Sequence, residues 1–275
     1  MTAAPHDDDD AGPLARQLVF LLALLTALVA LPASPQRVAA ADHWRPHSGL
    51  DWQVQFSGGI DTDVDADVFD LDAFDTGAAV VKALHDDGKR AVCYVNAGAW
   101  EDWRPDADRY PAVVKGKRLD GWPGERWLDV RRLSVLKPII RDRLEMCRAK
   151  GFDGVEFDNV DGYSNQTGFA LRKADQLRFN RWLARAAHDY GLAVGLKNTL
   201  GLAGELVGSF DFALLEQCFQ YRECDLAQPF IDAGKPVIDI EYSLGRSRFC
   251  AEASDLGIVA MKKRLALNAW RRTCA

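Results

Sequence analysis

The sequence predicts an α/β fold, a (β/α)8 barrel of the TIM type in a single domain. Three observations lead there: short β-type runs alternate with helical segments, the runs number eight, and polar side chains gather at one end of them. Alternating β and α elements imply a parallel sheet, and eight strands allow that sheet to close. The chain of 275 residues, 48% hydrophobic, is long enough to bury one core of that size.

The runs are Trp52–Phe56, Val68–Ala73, Ala91–Ala97, Gly154–Asp158, Ala193–Asn198, Phe212–Glu216, Pro236–Glu241 and Gly257–Lys262. Leu133, Leu136, Ile140, Leu144 and Cys147 recur at steps of three and four, marking one helix face; Phe179, Leu183, Ala186 and Tyr190 mark another. Gly88, Gly151 and Gly191 stand where helices must stop before the next strand. After the fifth to eighth runs the crossovers are short and leave room for a turn or two of helix. No internal repeat or low-complexity linker interrupts the domain, which is expected to span residues 42–275.

Residues 1–41 read as a signal peptide or N-terminal extension. Leu18–Leu31 is uncharged and apolar, Arg16 precedes it, and the small residues Ala39, Ala40 and Ala41 follow. A spanning helix wants about 20 apolar residues, more than this run supplies. The Asp7–Asp10 run is atypical for a basic leader, so an uncleaved anchor is the alternative. The expectation is an extracellular protein without stable membrane association once the leader is removed. Formal charge is −6, and residues 1–41 hold four Asp and two Arg, which leaves 36 acids and 32 bases in the mature chain. That balance argues against nucleic acid as a partner.

Six cysteines lie beyond the leader: Cys93, Cys147, Cys218, Cys224, Cys250 and Cys274. An even count in an exported chain favours disulfides. No pair has CxxC spacing and no histidine cluster accompanies them, so zinc is not expected. Strand phase narrows the pairing: with Tyr94 and Asn96 inward, Cys93 faces the helix that carries Cys147, although two free core thiols would fit as well. Cys218 and Cys224 flank one short loop, which leaves Cys250 and Cys274 to tie down the C-terminus.

Phase also locates the chemistry. Val155 and Phe157 would face the helices while Glu156 and Asp158 face the barrel axis. The same reading puts Val194 and Leu196 outward with Lys197 inward, and Leu215 outward with Glu216 inward. It puts Ile238 and Ile240 outward, with Asp239 and Glu241 inward. Polar groups therefore collect at strand C-terminal ends, where barrel active sites lie. Glycosidic cleavage needs one carboxyl to protonate the leaving oxygen and another to attack or to activate water. Asp158 and Glu216, inward and one strand apart, are the candidate catalytic pair; a structural ion pair with Lys197 is the bland alternative.

Candidate substrate-binding residues are Asp72, Tyr94, Asn96, Glu101, Asn159, Asp161, Lys197, Asn198, Tyr221 and Glu241. A purely structural hydrogen-bond network is as good an explanation for most of them. Asp72, Glu101 and Glu241 would favour a cationic sugar. Trp52, Trp100, Trp103 and Tyr221 offer flat faces for stacking, yet buried packing is the commoner use of Trp. Asp158 with Asp161 lacks the further oxygen ligands a cation needs, so no metal and no cofactor are expected.

The segments WQVQFSGGID, VFDLDAFDT, AVCYVNAGAWEDWRPD, GFDGVEFDNVDGY, GLKN, ALLEQCFQYREC, PVIDIEYS and GIVAMKK follow one another between Trp52 and Lys263. In order and spacing they resemble glycoside hydrolase family 114, the endo-α-1,4-polygalactosaminidases, over effectively the whole mature domain. GFDGVEFDNVDGY is the most specific segment and EQCFQY the next; DLDAFDT departs from the more apolar run expected before Asp72. The resemblance implies an endo-acting barrel hydrolase of α-1,4-linked galactosamine polysaccharide, with Asp158 as nucleophile or base and Glu216 as acid. Two other readings compete. One is a barrel that binds glycan without cutting it, whose mark would be loss of one carboxylate. The other is a glycosidase for a neutral or N-acetylated polymer.

Overall fold

The computed structural model describes residues 42–274. Strands β1 (Trp52–Gln55), β2 (Val68–Asp72) and β3 (Arg90–Asn96) come first. Strands β4 (Ala99–Glu101), β5 (Lys115–Arg118) and β6 (Glu125–Leu128) then form a separate antiparallel sheet in the order β4-β6-β5. The main sheet resumes with β7 (Gly154–Asp158), β8 (Ala193–Lys197), β9 (Phe212–Glu216), β10 (Val237–Glu241) and β11 (Val259–Lys263), and ends with β12 (Arg271–Thr273). Its eight parallel strands are the eight predicted runs, with edges moved by one or two residues. The small sheet is not among the predicted elements: its strands have three or four residues each, and β5 reads Lys-Gly-Lys-Arg, with no apolar alternation to find.

Helices α1 (Ala78–Asp86), α2 (Leu133–Lys150) and α3 (Lys173–Asp189) cover the first half of the ring. The later ones are short: α4 (Ala203–Leu206), α5 (Cys218–Tyr221), α6 (Gln228–Asp232) and α7 (Cys250–Leu256). Helix α2 buries Leu136, Ile140, Leu144 and Cys147, the face its periodicity foretells. It stops at Gly151, whose φ of 91° is open to glycine at little cost.

The ring is closed by an antiparallel insert. Strand β12 pairs with β11, and Arg271 reaches across to the Trp52 carbonyl at 2.7 Å and to Asp51 at 2.8 Å. Above it, the Phe56 and Ser57 N–H groups donate to the Leu267 carbonyl at 2.8 and 3.2 Å. The disulfide Cys250–Cys274 ties the end of this insert to α7. Cys93–Cys147 links β3 to α2, and Cys218–Cys224 closes the loop around α5. Each bridge contributes about 2–4 kcal/mol.

Two apolar layers are present. Trp52, Val54, Val92, Phe212, Ile238 and Ile240, drawn from strands alone, fill the inside of the barrel. Leu71, Val95, Phe157, Leu196 and Leu215 face outward and join the helix residues Leu84, Ile140 and Phe179 in the outer layer. This corrects the phase read for β10: its isoleucines face in, and Asp239 and Glu241 face out. The reason lies in what each side needs. The interior takes apolar volume against Trp52 and Phe212. Outside, the N–H groups that open α5 lack helical partners, and Asp239 Oδ1 accepts from Cys218 N at 3.1 Å while Glu241 Oε1 accepts from Gln220 N at 3.0 Å.

The apolar run Leu18–Leu31 and the small residues Ala39–Ala41 lie outside the described residues. Among the described residues, no helix is long and apolar enough to cross a membrane.

Candidate active site

A cleft of about 950 Å³ opens over the C-terminal ends of the parallel strands. Asp72, Tyr94, Asp158, Lys197 and Glu216 line its floor from β2, β3, β7, β8 and β9. The small sheet and the loops beside it supply one wall, including Trp103 and Trp122, about half exposed.

Lys197 organises the floor. Its ammonium lies 3.1 Å from Glu216 Oε2, 3.2 Å from Asp158 Oδ1 and 3.6 Å from Glu156 Oε1. Burial alone would discharge it, but the surrounding charges of Asp158, Glu216 and Glu156 more than reverse that, so it stays cationic. Glu156, wholly buried one layer deeper, pairs with Lys197 as its inward phase implies. Beside it, burial first and then the Glu156 charge push the Asp70 carboxyl far upward.

Each strand-end carboxyl has its own holders. Asp158 accepts from the Tyr94 hydroxyl at 2.9 Å, from the Asn159 N–H at 2.8 Å and from Asn159 Nδ2 at 3.3 Å. Burial and then the nearby Asp158 charge push the Tyr94 phenol well above its ordinary value, so it remains a donor. Glu216 accepts a hydrogen bond from the Tyr242 hydroxyl, and its N–H donates to Asn198 Oδ1 at 2.9 Å. Asn159, Asn198 and Gln217, the residues that follow β7, β8 and β9, all take positive φ, at 59°, 45° and 61°. These sharp exits end each strand at its functional side chain; asparagine bears such a φ better than most residues, and strain of this kind gathers at functional sites. The turn after β7 is also packed tightly. Ala97 and Gly98 donate to the Asp158 carbonyl at 3.1 Å, and a Cβ on Gly98 would stand 1.6 Å from the Asn159 carbonyl oxygen.

The other candidate residues fall into three groups. Asn159, Asp161 and Asn198 line the cleft. Asp72 and Glu101 line it too, but both are bound to Arg104: its guanidinium holds Asp72 in two bonds of 3.0 and 2.6 Å and Glu101 in two of 2.9 Å. With Glu241 facing outward, none of these three is a free carboxylate aimed at a cationic sugar. For Glu241 the sequence reading is corrected, while Asp72 and Glu101 face the cleft as carboxylates bound to Arg104. Asn96 sits beneath the cleft as a strut, donating to Glu125 at 3.0 Å and accepting from Ala99 N and Asn159 Nδ2. Tyr221 stands exposed on α5 and does not line the cleft. Of the tryptophans, Trp52 is interior fill, Trp100 donates its ring N–H to the Ala107 carbonyl, and Trp103 faces the cleft.

Sequence reasoning misses Tyr242, Arg104, Glu125 and Trp122. Tyr242 follows β10 in phase with Ile238 and Ile240, so the inverted reading hides it. The other three belong to the insertion between β3 and α2, or border it, where no strand phase is available. Glu125 lines the cleft, and burial, then Glu101 and Asp158, push its carboxyl up to about 7.

Comparison with known proteins identifies the family and the fold. The profile of glycoside-hydrolase family GH114 matches residues 33–275. The crystal structure of Aspergillus fumigatus Ega3 in complex with galactosamine is 37% identical, with a TM-score of 0.81 over 85% of this chain and 98% of that one. The glycoside hydrolase domain of PelA from Pseudomonas aeruginosa shares the fold at 18% identity and a TM-score of 0.67, over 83% of this chain and 99% of its own. An α-galactosidase from Thermus thermophilus is a more distant match in fold, with 14% identity and a TM-score of 0.53 over 78% of this chain and 58% of that one. No curated protein sequence matches the chain.

Proposed function

The chain belongs to glycoside-hydrolase family GH114, and from that premise we propose that it is an exported endo-hydrolase of α-1,4-linked galactosamine polysaccharide, with Asp158 and Glu216 as its catalytic carboxyls. One observation carries the assignment: a single buried ammonium, Lys197, holds both carboxylates at the floor of the cleft. The galactosamine bound by Ega3 supports an amino-sugar substrate. Three disulfides and the apolar leader support export.

In this reading Asp158 attacks the anomeric carbon while Glu216 protonates the leaving glycosidic oxygen. Glu216 then takes a proton from the water that releases the sugar from Asp158. Tyr94 and Asn159 hold Asp158 in line and stabilise its charge. The nearest oxygens of the two groups lie no farther apart than their two contacts to Lys197 laid end to end. Carboxyls drawn together on one ammonium suit direct attack by Asp158, with a covalent intermediate and retained configuration, and the anomer of the product decides it. With Asp72 and Glu101 bound to Arg104, recognition of the substrate amine falls to Asp161 and the wall residues Asp75 and Asp120.

The test is reducing-end release from α-1,4-polygalactosamine and from its fully N-acetylated form, with the anomer of the first product followed by NMR. The free-amine polymer should be cut faster, with retention. Cleavage of neither polymer overturns the substrate assignment, and equal rates overturn the role of the amine.

A further inference from the structure

At the end of the barrel opposite the cleft, three residues far apart in sequence meet. His43 lies on the segment before β1, His188 in the last turn of α3, and Asp211 just before β9. The two imidazoles stack with centroids 4.2 Å apart and planes 14° from parallel. Both turn Nε2 toward one carboxylate: His188 Nε2 is 2.8 Å from Asp211 Oδ2, and His43 Nε2 is 3.4 Å from Asp211 Oδ1. Oδ2 also accepts the Val194 N–H at 2.9 Å, which fixes the carboxylate's orientation.

We propose that His43, His188 and Asp211 form a binding site for a transition-metal ion of the zinc type, which staples the segment before β1 to the base of the barrel. Several observations converge on this site. The contact from His43 is too long for a strong hydrogen bond, so this nitrogen is poorly satisfied by the protein alone. The three candidate ligand atoms lie within 4.8 Å of one another. Tetrahedral ligands at about 2.0–2.1 Å from zinc stand roughly 3.3 Å apart, so closing around an ion asks for side-chain shifts of up to roughly 1.5 Å between the widest pair.

Two imidazole nitrogens and one carboxylate oxygen suit zinc and its neighbours, whereas magnesium and calcium prefer oxygen alone. His43 also lines a shallow surface pocket with Asp42, Arg90 and Gly191, so the cluster lies close to solvent on the His43 side. Of the cations nearby, Lys235 is turned to the Val207 and Phe210 carbonyls and Arg90 is paired with Asp153. A site at this face of a barrel serves stability rather than chemistry.

The test is calorimetric titration of the chelator-treated protein with zinc chloride, with magnesium chloride as control, together with thermal melting in both salts. Wild type should bind one zinc and melt higher in zinc but not in magnesium. His43→Gln and His188→Gln should each weaken zinc binding by at least about tenfold, abolish the melting shift and leave hydrolysis unchanged. His43 lies on a coil segment, so His43→Gln remains informative even where His188→Gln fails to fold. Identical zinc binding by wild type and His43→Gln, or no binding by wild type, overturns the proposal.

Discussion

The Lys197 ammonium stands 3.2 Å from Asp158, within reach of Glu216 on the neighbouring strand, and so couples the two carboxylates electrostatically. Replacing it with an isosteric apolar side chain, Lys197→Met, leaves Glu156, Asp158 and Glu216 facing one another without a cation. We expect kcat/KM to fall at least about 10²-fold. Near-normal kcat/KM would mean that Lys197 only fills space.

Tyr242 donates to Glu216, a contact outside the sequence-derived site. Tyr242→Phe removes one hydrogen bond to a charged group, which is worth about 10–100-fold in kcat/KM with little change in melting temperature. Full activity in this variant would show that Glu216 is positioned without it.

Gly98 leaves no room for a side chain, since a Cβ there would overlap the Asn159 carbonyl. Gly98→Ala must displace the turn that follows Asp158. A shift of about 1 Å at a catalytic group costs on the order of 10²-fold in turnover. A crystal structure of the variant should show the Asn159 backbone moved, and an unmoved turn with normal turnover would contradict the close packing.

Glu125 makes stability depend on pH. Its folded pKa of about 7 lies above the ordinary value, so the folded state holds a proton that the unfolded state gives up first. Stability from this residue is therefore lost as pH rises from the unfolded pKa, and the loss is complete above about 7. Glu125→Gln keeps the oxygen that accepts from Asn96 and removes the charge. It should raise the melting temperature by roughly 5 °C at pH 8 and not at pH 4. A gain of the same size at both pH values would rule out titration as its cause.

Much of this arrangement is legible in the amino-acid sequence. Gly154–Asp158 declares its phase because bulky apolar groups and acids alternate, and the end of a strand places Asp158 at the cleft. The cysteines pair as strand phase and loop spacing indicate. Strand β10 alternates Ile with acids just as clearly, yet its phase is the reverse of the one predicted. Both faces of a barrel strand are buried, so alternation marks two environments without saying which is the axis; the needs of α5 and of the interior decide it. Arg104 and Glu125 are hidden for a different reason. They belong to an insertion whose short strands carry no period, and the bonds from Arg104 to Asp72 and Glu101 exist only in three dimensions.

The central claim is that Asp158 and Glu216 perform the cleavage. It is tested most directly by the turnover of Asp158→Asn and Glu216→Gln on α-1,4-polygalactosamine, with melting temperature and glycan binding measured in the same preparations. Both substitutions keep shape and remove the ionisable group. Each should lower kcat by at least about 10²-fold while folding and binding persist. Near-normal turnover in either variant would contradict the assignment and leave that carboxylate a structural partner of Lys197.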